Sequence, residues 1–233
     1  MNIVGKLRRL DTDCSKFYSI IKHLNKDGVS ELADLKIKFD YPKPSSLIKE
    51  LVGGATFFNR DAVVLDFFAG SGTTMHATME LNKKDNGHRQ CILITNNENK
   101  ICEEVTYERN KKAITGYTNL KGEFVEGLNS NNLRYYKTDF ISRRRTIKNM
   151  RALVTASTDL LCIKNNIYVE QDNIFGRKLK PEAARFFDDG ITKMLVIYNE
   201  QGVDSFAKII RENKVDGRIL IYVFSNNNSP LNN

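Results

Sequence analysis

Hydrophobic positions fall along this chain in two alternating patterns. Short unbroken apolar runs bounded by turn formers read as strands buried on both faces. Apolar residues spaced three and four apart read as helices with one buried face. The runs are Ala62 to Phe68, Gln90 to Thr95, Lys193 to Tyr198 and Arg218 to Phe224. Helical spacing appears in Leu47, Ile48, Leu51 and Val52, where Ser45 or Ser46 is the expected cap and Gly53-Gly54 the expected stop. It appears again in Phe17 to Ile21 with Leu24, ended by Asp27-Gly28, in Lys100 to Ile114, ended by Gly116, and in Val203, Phe206, Ile209 and Ile210. Ser30 is expected to cap a short segment, Glu31 to Leu35, and Tyr41-Pro42-Lys43-Pro44 must be extended. Further expectations are a strand over Leu133 to Phe140 and a basic helix over Arg144 to Ser157. A charged loop to Lys180 follows, and Pro181 opens another segment. Strands that alternate with helices predict an α/β fold.

One stretch carries candidate chemistry. Val63-Val64-Leu65-Asp66-Phe67-Phe68 runs into Ala69-Gly70-Ser71-Gly72-Thr73-Thr74, after which a helix is expected from Met75 to Leu81. A parallel strand that ends in an acid, then a small-residue turn at a helix N-terminus, is the layout of a nucleotide-type cofactor site. A dinucleotide fingerprint wants a third glycine, and Met75 stands there. The other cofactor reading is S-adenosylmethionine, whose ammonium an acid at the strand end can meet. A strand–turn–helix without a ligand is the plain alternative. The coincidence of acid, aromatics and Gly-Ser-Gly-Thr-Thr favours a ligand site.

Asp66-Phe67-Phe68-Ala69-Gly70-Ser71-Gly72-Thr73 resembles motif I of the amino-group DNA methyltransferases, which modify adenine N6 or cytosine N4. Phe39-Asp40-Tyr41-Pro42-Lys43-Pro44, followed by Leu47-Ile48, resembles their motif X, and in the beta-type order motif X directly precedes motif I. With Asn129 to Phe140 downstream, the wording is similar to the modification subunits of type III restriction systems. The resemblance covers about Lys38 to Phe140. It implies a partial Rossmann-like SAM-dependent methyltransferase fold over 38–140; the patterns on either side predict an N-terminal helical extension over 1–37 and a smaller C-terminal α/β lobe over 141–233. It further implies that Asp66 and the Phe68, Ala69, Gly70, Ser71, Gly72, Thr73 backbone hold the cofactor, with Lys43 and Pro44 closing over its methionine end. The ribose contact is expected among Asn96 to Glu98, with Asn96 and Glu98 the candidates, although a carboxylate directly after the second strand would be the usual pattern.

Composition adds little until charge is placed along the chain. At 233 residues, 41% hydrophobic and 27% charged, the chain is ordinary for a globular protein. The formal net charge is +8. Its densest basic stretch is Arg143-Arg144-Arg145 with Lys148 and Arg151, and on one helix Arg144, Lys148 and Arg151 would share a face able to track phosphates. A solvated basic helix face is the plainer reading. Cys14, Cys91, Cys102 and Cys162 show no metal spacing, and Cys91 and Cys102 read as small buried hydrophobes, so no metal site is expected. The longest apolar runs are too short for a membrane span and the start lacks a signal-peptide core, so a cytoplasmic protein is expected.

One element of the resembled family is missing. Its Asp-Pro-Pro-Tyr-type motif holds the target amino group and stacks on a flipped base. Here proline occurs at 42, 44, 181 and 230, never adjacent to another. No catalytic residue is therefore assigned. The resemblance implies the SAM-binding portion of a site-specific DNA adenine-N6 methyltransferase acting on double-stranded DNA, incomplete alone. Its expected partner is a second polypeptide with the catalytic motif and target-recognition region, or a restriction subunit. The rival reading is a non-catalytic DNA-binding or assembly module. An RNA or small-molecule methyltransferase is disfavoured by motif X standing directly before motif I.

Overall fold

A computed structural model describes residues 21–213 and 217–224 of the chain. Most of the helix expected at Phe17 to Leu24, Cys14 and the Asn-rich end after Phe224 lie outside the described residues; Ile21 to Leu24 are not helical. The fold is mixed α/β, and the chain divides into two compact units between Tyr136 and Lys137.

The first unit opens with helix α1, Asn25–Asp34. Gly28 lies inside this helix instead of ending one. A Cβ there would stand 2.6 Å from the Pro42 carbonyl oxygen, so the glycine lets α1 pack directly on the Pro42–Lys43 backbone. Helix α2, Ser45–Ala55, likewise runs through Gly53-Gly54 and ends at Thr56, whose hydroxyl donates to the Val52 carbonyl. Neither Ser45 nor Ser46 caps it by side chain. The Ser45 N–H donates to the Glu31 carboxylate at 3.0 Å, so a distant acid takes the capping role.

Strand β1, Val63–Asp66, leads through the turn into helix α3, Thr73–Asp85, which runs past the expected end at Leu81. Strand β2, Gln90–Leu93, pairs with β1 in parallel, Val63 opposite Gln90 and Asp66 opposite Leu93. Among the described residues the sheet has these two strands alone. Residues 63, 65 and 67 of one strand and 92 and 94 of the other share a face by alternation and register. That face is open: Val63 and Phe67 are 59% exposed, Leu65 49% and Ile94 44%.

The helix expected over Lys100 to Ile114 is three pieces. A 3-10 turn at Glu98–Lys100 is followed by a π-helix, Ile101–Tyr107, and then by helix α4, Glu108–Thr115. Asn97, Asn99 and Lys100 are all left-handed, which breaks any continuous α-helix here. The unit closes with the short antiparallel pair β3, Tyr117–Thr118, and β4, Phe124–Val125. The strand expected over Leu133 to Phe140 does not form. No described strand pairs with this stretch, and its residues from Arg134 to Phe140 are exposed.

The second unit has helix α5, Ile147–Asn165, in place of the expected basic helix over Arg144 to Ser157. Thr146 caps it, its hydroxyl accepting from the Asn149 N–H, so Arg144 stands before the helix and does not share a face with Lys148 and Arg151. β5, Glu170–Gln171, follows, then a hairpin of β6, Asn173–Ile174, and β7, Arg177–Lys178, inside the expected loop. β8, Ala184–Asp188, is a strand that the pattern did not show, with Phe186 and Phe187 buried on opposite faces. β9, Thr192–Ile197, helix α6, Val203–Glu212, and β10, Arg218–Val223, form the expected strand–helix–strand unit, with β9 and β10 parallel. Sheet order is β10-β9-β8-β5. Met194 and Val196 join Cys162 of α5 on one face; Leu195 and Ile197 pack with Phe206, Ile209 and Ile210 of α6 on the other. Burial on both faces is why β9 reads as a continuous apolar run. Among the described residues no helix is long and apolar enough to cross a membrane, and no cluster could hold a metal ion.

Candidate functional site

The turn between β1 and α3 is set by its own small residues and one acid. Gly70 and Gly72 both have positive φ, +51° and +75°. The Gly72 N–H donates to the Ala69 carbonyl at 2.7 Å, and the Ala69 N–H to the Ile94 carbonyl at 3.1 Å, which ties the turn to the end of β2. Asp66 braces it from below: one carboxylate oxygen accepts from the Phe68 N–H at 3.0 Å, the other from the Thr74 hydroxyl at 2.6 Å. Each oxygen keeps a second lone pair for a further donor. Phe68 is 92% exposed, whereas Ala69, Ser71, Gly72 and Thr73 are buried.

The motif X segment closes against this turn. The Thr73 hydroxyl donates to the Lys43 carbonyl at 3.2 Å. The Phe39 ring reaches to 3.8 Å of where a Cβ on Gly70 would stand. Lys43 is exposed and Pro44 buried. Asn96 and Glu98 follow β2 and are exposed; they bind each other, the Glu98 N–H donating to the Asn96 side-chain oxygen at 3.2 Å.

Three residues that pattern reading missed hold the turn from behind. The Thr106 hydroxyl donates to the Gly70 carbonyl at 2.7 Å, and the Asn110 amide to the Gly72 carbonyl at 3.3 Å. Arg109, fully buried, donates to the Thr73 hydroxyl at 2.7 Å, the Ser71 hydroxyl at 3.1 Å and the Glu31 carboxylate at 2.8 Å. Burial holds the guanidinium below the ordinary arginine range, and the Glu31 carboxylate opposes that shift. A signal existed: Thr106, Arg109, Asn110 and Ala113 occupy one helix face, where an apolar stripe would be expected.

His76, on α3, sits beside this group, within 3.5 Å of the Arg109 Nε. Its pKa is pushed down to about 4, first by burial and then by Arg109 and Lys49, against the opposing Glu80. The unfolded chain takes up this proton near 6.5, the folded chain only near 4. Between those values the unfolded state binds more protons, so stability falls as pH drops through the window. The expected loss between pH 6.5 and 4 is up to roughly 3 kcal/mol in urea denaturation. His76→Asn should flatten that part of the profile; profiles that superimpose would rule His76 out as the cause. Cys91 is no nucleophile here, since burial pushes its thiol up to about 12.

A cavity of about 520 Å³ is lined by Glu31, Ser45, Lys49, His76, Glu80 and Tyr117 among others, and by none of the expected cofactor residues. The basic stretch belongs to the second unit. Arg143, Arg144 and Arg145 precede α5, Lys148 and Arg151 lie in its first turns, and all five are exposed. No acid lies in the first turn of α5, so these cations add to the positive end of the helix dipole.

Residues 8–118 match a family of proteins described as DNA methylases. The chain is 52% identical over 73 residues to the Mod subunit of the type III restriction-modification enzyme StyLTI of Salmonella typhimurium, a match covering 30% of this chain and 11% of that protein. It is 52% identical over 60 residues to the EcoPI Mod subunit of Escherichia phage P1, covering 26% of this chain and 9% of that one. Against the type II methyltransferase M.KpnI of Klebsiella pneumoniae it is 34% identical over 103 residues, 44% of this chain and 24% of the other. The matched stretches thus span at most about a quarter of these relatives' length. The resemblance to amino-group DNA methyltransferases and to type III modification subunits is shown by these matches.

Proposed function

We propose that this chain, similar to DNA methylases over its first half, is the SAM-binding portion of a type III-like, site-specific DNA adenine-N6 methyltransferase. On this reading residues 38–140 form a partial Rossmann-like cofactor region, residues 1–37 extend it, and residues 141–233 form the smaller α/β lobe. The preference for adenine over cytosine rests on the type III relatives. The observation that carries the reading is the Thr73 to Lys43 hydrogen bond, which closes two segments thirty positions apart, each resembling a cofactor-binding motif, against each other.

The donor set fits S-adenosylmethionine. Asp66 has lone pairs free for an ammonium, and Gly70 leaves open the space that a Cβ would enter beneath Phe39. When bound, the cofactor supplies the methyl group. Asp66 orients its aminoacyl end, the Phe68 to Thr73 backbone lets it approach closely, Lys43 and Pro44 cover it, and Asn96 or Glu98 meets the ribose. Holding the target amino group in line with the methyl needs the missing Asp-Pro-Pro-Tyr-type motif. Residues that carry such a motif complete the site on double-stranded DNA, with a restriction subunit as partner in the cytoplasm. Arg143, Arg144, Arg145, Lys148 and Arg151 then track phosphates.

Calorimetric titration of S-adenosylmethionine and S-adenosylhomocysteine into the chain tests this. Saturable binding is expected. Asp66→Ala should weaken it by roughly thirtyfold or more, the usual cost of losing one partner of a charge pair. A well-folded chain that binds neither compound would overturn the cofactor reading. The exposure of all five basic residues favours the rival, a non-catalytic DNA-binding or assembly module. It requires Asp66→Ala to leave DNA or partner binding untouched while no cofactor binds either form.

A further inference from the structure

The polar group behind the turn does more than fill space. Arg109 is fully buried, yet its guanidinium reaches two separate elements. One nitrogen donates to the Ser71 and Thr73 hydroxyls, on the turn and the first residue of α3. The other donates to Glu31, 78 positions away in sequence. The remaining hydrogen bonds of Glu31 go to the start of α2: the Ser45 N–H at 3.0 Å and the Ser45 hydroxyl at 2.9 Å. Ser45 directly follows Lys43-Pro44. The Thr73 hydroxyl spends its single proton on the Lys43 carbonyl, so it accepts from Arg109 and from Ser71. The polarity is therefore consistent throughout, from Arg109 outward to both segments. A planar fork held between a carboxylate and two hydroxyls fixes distance and angle together, which a lysine ammonium cannot do.

We infer that the Glu31–Arg109 pair is a latch that sets the spacing between the Lys43-Pro44-Ser45 segment and the Gly70 to Thr74 turn, and through it the fit of the cofactor's methionine end. Neither side chain contacts the cofactor; both are positioning residues. This rests on the SAM-binding reading. The latch acts where the two segments meet, so its loss affects the methionine end and spares the ribose contact after β2. A residue that merely holds the fold together would weaken both alike.

The test uses the full chain with two probes, S-adenosylmethionine and adenosine, which lacks the methionine end. Arg109→Lys should weaken S-adenosylmethionine binding about tenfold or more, the scale of one lost charge-assisted hydrogen bond. Adenosine affinity should stay within about twofold of the unmodified chain. Glu31→Gln keeps an acceptor for Ser45 and is the second variant should Arg109→Lys fail to fold; it should show the same split in milder form. Equal loss of both ligands, or no loss of either in a folded variant, overturns the latch. Absence of S-adenosylmethionine binding by the unmodified chain would overturn the cofactor reading itself, and the latch with it. Binding that Asp66→Ala abolishes and Arg109→Lys leaves intact would overturn the latch alone.

Discussion

Gly72→Ala is expected to lower stability by about 3 kcal/mol, the sum of two costs that alanine meets at this position. The first is conformational. Gly72 has φ +75°, where a Cβ crowds the backbone and costs about 1–2 kcal/mol. The second is space. A Cβ would stand 2.4 Å from the Asn110 amide nitrogen and 3.1 Å from both the Thr106 carbonyl oxygen and its methyl group. Those atoms belong to the π-helix and α4, themselves bonded to the turn, so relief costs the Asn110 and Thr106 hydrogen bonds. Overpacking of this kind costs about 1–3 kcal/mol. Gly122→Ala separates the two costs. Gly122 has φ +84° but nothing within 4 Å of its would-be Cβ, so alanine there should lose about 1–2 kcal/mol only. Urea denaturation of both variants reads the difference, and equal losses would mean that the turn yields freely to its neighbours.

Leu195→Ala should cost about 2–5 kcal/mol, whereas Leu65→Ala should cost less than about 1 kcal/mol. Both leucines sit within strands of parallel pairs. Leu195 is fully buried, at the centre of β9 with α6 over it, and truncation leaves a cavity that a close-packed core cannot fill. Leu65 is 49% exposed on the open face of the first sheet and has little burial to lose. Chemical denaturation of the two variants, with circular dichroism to establish folding, measures the contrast. A Leu195→Ala chain as stable as Leu65→Ala would contradict the two-sided packing of the second sheet.

How legible these features are in sequence depends on how local their causes are. β9, α6 and β10 are each one apolar pattern between turn formers, and the pattern alone places them. The Asp66 to Thr74 turn is legible because acid, glycines and hydroxyls sit in one stretch. The misplaced boundaries have causes elsewhere in the chain. Gly28 and Gly53-Gly54 read as helix stops, yet both helices run through them; Gly28 faces the Pro42–Lys43 backbone and serves close approach within a helix. Leu133 to Phe140 has strand composition, yet a strand needs a neighbour to receive its backbone groups. Glu31 reads as a surface acid in a short helix; its partners, Ser45 and Arg109, lie 14 and 78 positions away, beyond any periodicity. The π-helix is invisible for a related reason: Ile101 to Tyr107 carries no residue that forbids an α-helix, and the wider turn satisfies the Thr106 and Asn110 contacts with the turn.

Among the described residues the first sheet has an open face and unpaired edges, with a colloidal consequence. Val63, Leu65 and Phe67 present apolar surface beside strand edges able to receive another strand, the combination that makes copies of a chain adhere. What opposes adhesion is long-range repulsion from the net charge of +8. That repulsion reaches about 10 Å at 0.1 M salt and about 3 Å at 1 M, whereas apolar contact is not screened at all. Salt therefore moves this molecule from a dispersed solute towards self-association, unless another surface has already covered the face.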